Sequence, residues 1–414
     1  MESGMRWKAP LVVMGMGQSK EDVPSSYRSI LTGADVVIGG RRLLAQMGEM
    51  SASKMVLAPP LSSSISLIKG LIEDGKKVVV LCDGDPLLFG LGNRLVREFP
   101  PSCLWILPNV SIPQRAGAYL GISVKEMELV SLHGREDVFP LLNSISKNQW
   151  TGVYTDHIHS PSFIAGLVLD KGISGGDVKM HVFERLGWKG ESYEVYLPSQ
   201  CLNRAFKEPN FVILERTPWP PPEMPHLGME EGLFVSDGGQ ITKSEVRSLC
   251  VATLSPLDNK VIWDLGAGCG SVSVEIMAIS NNARVYAVEK EKTRVEMIKE
   301  NRRRFGLYSL EVIWGDIIEV IPSLPSPHRI FIGGGLSDGI EILEMAWERL
   351  LQGGKVVISL VLMQTLYRCM EFCEKRDISF QVKALHLDRG EPLGRGMRFV
   401  PLNPVIIFSM EKKA

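Results

Sequence analysis

Between Val261 and Gly270 the chain reads VIWDLGAGCG, an apolar run that ends in an acid and passes into three alternating glycines. Such a run has the composition of a buried strand, and glycine lets the backbone take positive φ and approach a ligand closely. The next residues, Ser271 to Ala278, carry apolar side chains at helical spacing. Strand, glycine turn and helix in that order predict an α/β fold with a ligand at the turn.

The same alternation extends over the second half. Strands are expected at Val261 to Asp264, Val285 to Val288, Leu310 to Ile313, Ile330 to Ile332 and Val356 to Ile358, with helices such as Lys290 to Phe305 between them. This pattern predicts a Rossmann-like, doubly wound and mostly parallel sheet. In the first half, Leu11 to Gly15, Val36 to Gly39 and Val78 to Cys82 read as buried strands of a parallel βαβ series. A second apolar set, Gly152 to Thr155 and Phe211 to Leu214, follows a glycine-containing break near Pro108 to Gly121. Two α/β lobes with a cleft between them are therefore expected there. Prolines 218, 220, 221, 222 and 225 forbid regular structure and mark a stiff connector. The predicted organisation is a bilobal domain over 9–217, a linker over 218–227 and a second domain over 228–414.

Composition narrows the partners. A chain of 414 residues with 45% hydrophobic and 22% charged residues is expected to be globular, and a net charge of −1 gives no electrostatic drive toward nucleic acid or a membrane surface. The seven cysteines include no CxxC pair, which predicts neither disulfides nor zinc. No signal-peptide core or stretch of about 18 apolar residues is visible, so a cytoplasmic protein without a membrane span is expected. His157 and His159 have the spacing of two ligands on one strand face, but no third ligand cluster accompanies them; a loop and no metal site are expected.

The glycine turn differs from a dinucleotide fingerprint. That fingerprint is GxGxxG, whereas this chain has DxGxGxG with Asp264 inside the strand end, where an acid suits a cationic ligand better than a pyrophosphate. The next strand ends in Glu289, placed to accept ribose hydroxyls, and a third acid, Asp316, stands where it would take an adenine amino group. Acids and glycines in this order point to S-adenosylmethionine rather than NAD. The competing account is a structural turn whose acids are solvated caps. Thr242 to Glu245 also reads as a capping box that would start a helix.

The motifs QITKSEVR from Gln240, WDLGAGCGS from Trp263, YAVE ending at Glu289, Gly315-Asp316 and FIGGG from Phe331 together resemble the decarboxylating precorrin methyltransferase domain of cobalamin biosynthesis. The resemblance covers residues 228–414. It implies S-adenosylmethionine contacts at Thr242, Gly266, Ala267, Gly268, Cys269, Gly270, Glu289 and Ile317, beside Asp316. In the first half, the acidic turn CDGDPLLFG from Cys82, with Val13 to Gly17, Pro108 to Ile112, Val130 to Arg135 and Glu184 to Gly187, resembles the tetrapyrrole methylase fold, specifically its precorrin carbon 5 branch. Over about 9–217 this implies a second S-adenosylmethionine site at Gly84, Asp85, Leu88, Ser111 and Ile112.

Together the halves resemble fused enzymes that methylate carbons 5 and 15 of a precorrin macrocycle and decarboxylate its carbon 12 acetate. A substrate carrying several carboxylates calls for cationic anchors, for which His133, Arg135, Arg389, Arg395 and Arg398 are candidates. No catalytic triad is expected, because positioning dominates methyl transfer to an electron-rich carbon. The resemblance also implies a homo-oligomer built through the second domain. The alternatives are a methyltransferase acting on RNA or protein, or a cofactor-binding protein with one inactive domain.

Overall fold

The computed structural model describes residues 7–173, 175–221, 223–238, 240–336 and 339–413; Pro222 of the expected linker lies outside the described residues. Contacts divide the chain into two compact units, the second comprising the residues from Thr217 onward together with the short segments Ile145–Lys147 and Asp170–Ile173.

The first unit holds two sheets. The first is built from β1 (Leu11–Gly15), β2 (Val36–Gly39), β3 (Ser53–Val56), β4 (Val78–Cys82) and β5 (Leu104–Leu107), in the order β3-β2-β4-β1-β5. All its pairings are parallel. Alternate residues feed opposite cores: Val12, Met14, Val79 and Leu81 enter one, and Leu11, Val13, Val78 and Val80 the other. Burial on both faces explains why these strands read as unbroken apolar runs.

The second sheet contains β6 (Met127–Ser131), β7 (Trp150–Tyr154), β8 (Val178–Glu184), β9 (Ser192–Tyr196) and β10 (Asn210–Arg216), in the order β6-β7-β10-β8-β9. Only β6 and β7 run parallel, so the expected second α/β lobe is largely antiparallel. The apolar run Phe211 to Leu214 would be buried in either arrangement. The supposed break at Pro108 to Gly121 contains the helix Ile112–Leu120, begun by a capping box between Ser111 and Gln114 and ended by Gly121 at φ 68°.

The second unit carries β11 (Val261–Leu265), β12 (Arg284–Glu289), β13 (Glu311–Trp314), β14 (Arg329–Ile332), β15 (Lys355–Leu360), β16 (Phe380–Leu385) and β19 (Val405–Glu411), with β17 (Asp388–Leu393) and β18 (Gly396–Pro401) forming a separate hairpin. Its order is β13-β12-β11-β14-β15-β19-β16. The first five strands are parallel, and β19 pairs antiparallel with both β15 and β16. Ile262 and Trp263 enter cores on opposite faces, as a doubly wound sheet requires. The strand order reverses between β11 and β14, and a cleft opens at that switch point. No helix among the described residues is long and apolar enough to cross a membrane.

Candidate functional site

In the second unit the glycine turn leaves β11 with Gly266, Gly268 and Gly270 at φ 73°, 59° and 80°. A Cβ at Gly266 would stand 3.0 Å from the backbone of Gly334, so that position must remain bare. A Cβ at Gly268 would meet nothing within 4 Å, because this part of the turn faces an open cavity of about 440 Å³. Thr242, Gly266, Ala267, Gly268, Cys269, Glu289, Asp316 and Ile317 all line that cavity. Gly270 does not; it caps the helix Ser271–Ile279 and faces Ile298.

Glu289, 5% exposed at the end of β12, is the best-defined polar group of the cavity. Its Oε2 accepts the Gly268 N–H at 2.8 Å, and its Oε1 accepts those of Lys290 and Glu291 at 2.9 and 3.0 Å. A carboxylate offers about four lone-pair positions, so acceptor capacity remains for a ligand hydroxyl. Asp316 caps the short helix Ile317–Val320, its Oδ1 accepting the Ile318 N–H at 2.9 Å. The capping account of this acid and its place on the cavity wall therefore coexist.

Three expectations change here. Asp264 does not face a cationic ligand: it is fully buried, is absent from the cavity wall and accepts the Ser273 hydroxyl at 2.6 Å. It fastens the helix that follows the turn from below. Second, the capping box from Thr242 does not form. The helix Ser244–Leu254 starts after Lys243 without a side-chain cap, and the Ser244 N–H is taken by Glu231 at 2.9 Å. Third, Arg389 is not an open anion anchor. It is clamped by Glu231 at 2.9 Å and Glu245 at 2.7 Å, and its hydrogen bonds hold the Glu231 carboxyl down at about 2. Arg395 and Arg398 lie on the β17–β18 hairpin and are not on the cavity wall; Arg398 stands 3.5 Å from Glu391.

Burial pushes Asp264 up to about 6, with the charge of Glu289 acting in the same direction and the Ser273 bonds opposing it. Its other oxygen, Oδ1, has no hydrogen-bond partner among the described residues. The folded chain thus keeps this proton over the window from about pH 4 to about 6, where the unfolded chain has released it. Stability falls as pH rises through that window and levels off above it, the loss being on the order of 3 kcal/mol. Asp264→Asn is expected to flatten this part of the stability curve in denaturant titrations; an unchanged slope would show that Asp264 does not titrate there.

In the first unit, the ends of β1 and β4 meet. The Gly84 N–H donates to the Gly17 carbonyl at 2.8 Å, and a Cβ at Gly15 would stand 2.4 Å from the Gly84 carbonyl oxygen. Asp85 shapes its own turn by accepting the Leu87 N–H at 2.7 Å. A cavity of about 630 Å³ opens here, and Gly84, Asp85, Leu88, Ile112 and His133 line it. Ser111 is buried and engaged in the capping box behind Ile112, while Arg135 is exposed off the cavity wall.

Arg42, Tyr154 and Phe89 also line this cavity and escaped the sequence reading. Arg42 pairs with Asp83 and lies 4.3 Å over the Trp188 ring. Its partners are distant in sequence, so no local spacing could have announced it. His157 is exposed on the same cavity, whereas His159 is buried against Asp156 at 3.2 Å; no metal-ligating cluster is found among the described residues.

The two halves of the chain match different family models. Residues 11–197 match the model of the tetrapyrrole (corrin/porphyrin) methylases, and residues 232–412 that of the precorrin methyltransferase domain. A Sinorhizobium protein named precorrin-6Y C(5,15)-methyltransferase [decarboxylating] is 30% identical over 97% of this chain and 96% of its own length. A Mycobacterium tuberculosis protein of the same name is 28% identical over 97% of this chain and 100% of its own. The second unit alone resembles a Pyrobaculum aerophilum protein named as a probable cobalt-precorrin-6B C(15)-methyltransferase (decarboxylating), 31% identical over 44% of this chain and 93% of that one. Methyltransferases of this kind use S-adenosylmethionine, and the two-unit α/β architecture is a tetrapyrrole methylase fold followed by a Rossmann-like domain. The chain belongs to the family of decarboxylating precorrin-6Y C(5,15)-methyltransferases.

Proposed function

We propose that the chain methylates a precorrin macrocycle at carbon 5 in its first unit and at carbon 15 in its second, with loss of carbon dioxide from the carbon 12 acetate, in cobalamin biosynthesis. Each unit takes its own S-adenosylmethionine. The observation that supports this most is that each unit presents its own glycine-lined cavity at the ends of its central parallel strands.

The donor set of the second unit fits this cofactor: Glu289 offers acceptors to a ribose diol, and Gly268 leaves room for close approach. Thr242, Ala267, Cys269, Asp316 and Ile317 would complete its walls. In the first unit Gly84, Asp85, Leu88 and Ile112 would hold the second molecule, with Ser111 fixing the helix behind them. Bound S-adenosylmethionine supplies an electrophilic methyl group. The residues then have to orient the acceptor carbon toward it, which is a matter of alignment more than of acid–base chemistry. His133 remains as an anion anchor in the first cavity, and the conjugated macrocycle itself accepts the electrons released on decarboxylation.

An assembly through the second unit is supported by the β17–β18 hairpin, where Met397 and Phe399, on one face of the ribbon, are 73% and 77% exposed. Exposed apolar side chains clustered on a ribbon mark an interaction surface. A monomer in sedimentation equilibrium would contradict this.

The reaction is tested by mass spectrometry of the product formed from precorrin-6Y and the purified full chain. Gain of two methyl groups with loss of carbon dioxide is expected. Transfer of labelled methyl to RNA or protein in place of the macrocycle would overturn the assignment.

A further inference from the structure

Phe89 follows the acidic turn of the first unit with φ at +52°. An L residue with a bulky side chain is disfavoured in this left-handed region, and such outliers gather at functional sites. Glycines surround it at positions 84, 90 and 92, and the turn is tight, since a Cβ at Gly90 would stand 2.5 Å from the Pro86 carbonyl oxygen. The backbone at 89 suits glycine, which has no β-carbon, yet the position carries a phenyl ring.

That ring is not used to fill a core. Phe89 is 45% exposed on the wall of the 630 Å³ cavity and meets Tyr154, whose ring centroid lies 5.3 Å away at an interplanar angle of 59°. Tyr154 is braced from behind by the buried Phe211 at 5.2 Å. A strained backbone thus holds an aromatic face toward an open cavity, on a support that cannot recede. His133 and His157 line the same cavity and supply polar groups beside that face.

We propose that Phe89 is a specificity-determining contact of the first unit, the aromatic surface against which the flat, conjugated methyl acceptor packs. This rests on the reading that the first unit methylates a tetrapyrrole. Aromatic faces suit such a ligand because offset stacking adds to the burial of apolar area. The strain at residue 89 is retained because glycine, which would relieve it, has no ring to offer.

Phe89→Gly, Phe89→Ala and Phe89→Tyr in the full chain test this, with thermal midpoint, S-adenosylhomocysteine affinity and the kinetics of carbon 5 methylation as readouts. Phe89→Gly is expected to melt higher than Phe89→Ala, because only glycine removes the strain. It should bind S-adenosylhomocysteine within twofold of the unaltered chain, yet show a KM for the precorrin about tenfold higher, the weight of one aromatic contact. Phe89→Tyr should keep the original KM. An unchanged KM in Phe89→Gly, or Phe89→Ala melting as high as Phe89→Gly, would overturn the proposal. Failure of the unaltered chain to methylate carbon 5 would instead overturn the underlying reading, so the two failures are distinguishable.

Discussion

Replacing Arg247 with methionine is expected to cost the second unit about 3–5 kcal/mol of stability. Arg247 and Glu275 are both fully buried, 2.6 Å apart, and the guanidinium lies 4.8 Å over the Phe234 ring. Arg247 also donates to the carbonyls of Thr242, at 2.5 Å, and Met229, while Glu275 accepts the Met229 N–H at 3.0 Å. Removing the cation leaves a buried carboxylate uncompensated, and its Oε2 already lacks a partner among the described residues. Glu275 lies on the helix Ser271–Ile279 that follows the glycine turn, so the pair ties that helix to the Thr242 wall of the cavity. The double change Arg247→Met with Glu275→Leu is expected to recover most of the loss, since it removes both charges. Chemical denaturation checks both values. A single variant within 0.5 kcal/mol of the unaltered chain would show that the pair contributes little.

This pair also shows where the sequence stops being informative. Glycines at a strand end and an acid closing the next strand are local patterns, and Gly266, Gly268 and Glu289 stand where those patterns place them, on one cavity. The direction in which an acid faces is not local. Asp264 turns toward Ser273 on the following helix and away from the cavity, because the packing of that helix puts a hydroxyl beside it. Arg389 looked like an open anchor in a glycine-rich tail, yet its partners Glu231 and Glu245 lie 158 and 144 residues away. Phe89 was hidden because a bulky L residue is disfavoured in the left-handed backbone conformation it adopts. The antiparallel course of β10 was hidden because a buried run of Phe, Val, Ile and Leu is compatible with either strand direction.

Glu289→Ala carries the second large effect, and it separates the two units. The carboxylate accepts the N–H groups of Gly268, Lys290 and Glu291 on the wall of the second cavity and, in the function proposed above, would accept a ribose diol. Its removal deletes charge-assisted hydrogen bonds worth about 1.5–3 kcal/mol, so cofactor affinity at this site is expected to fall about 10- to 100-fold. The Gly268 N–H also loses its acceptor, which loosens the glycine turn. Methylation at carbon 15 should fall accordingly, while methylation at carbon 5, which the proposed function assigns to the other cavity, should persist. Parallel loss of both activities would mean that the cavities do not act independently.

In the proposed function one chain holds two methyl-donor sites of unrelated architecture. The binding stoichiometry of S-adenosylhomocysteine, measured by calorimetry on the full chain and on Glu289→Ala, distinguishes two sites from one. Two molecules are expected per unaltered chain and, at concentrations that saturate only the stronger site of the variant, one per Glu289→Ala chain. One molecule per unaltered chain at saturation would contradict it.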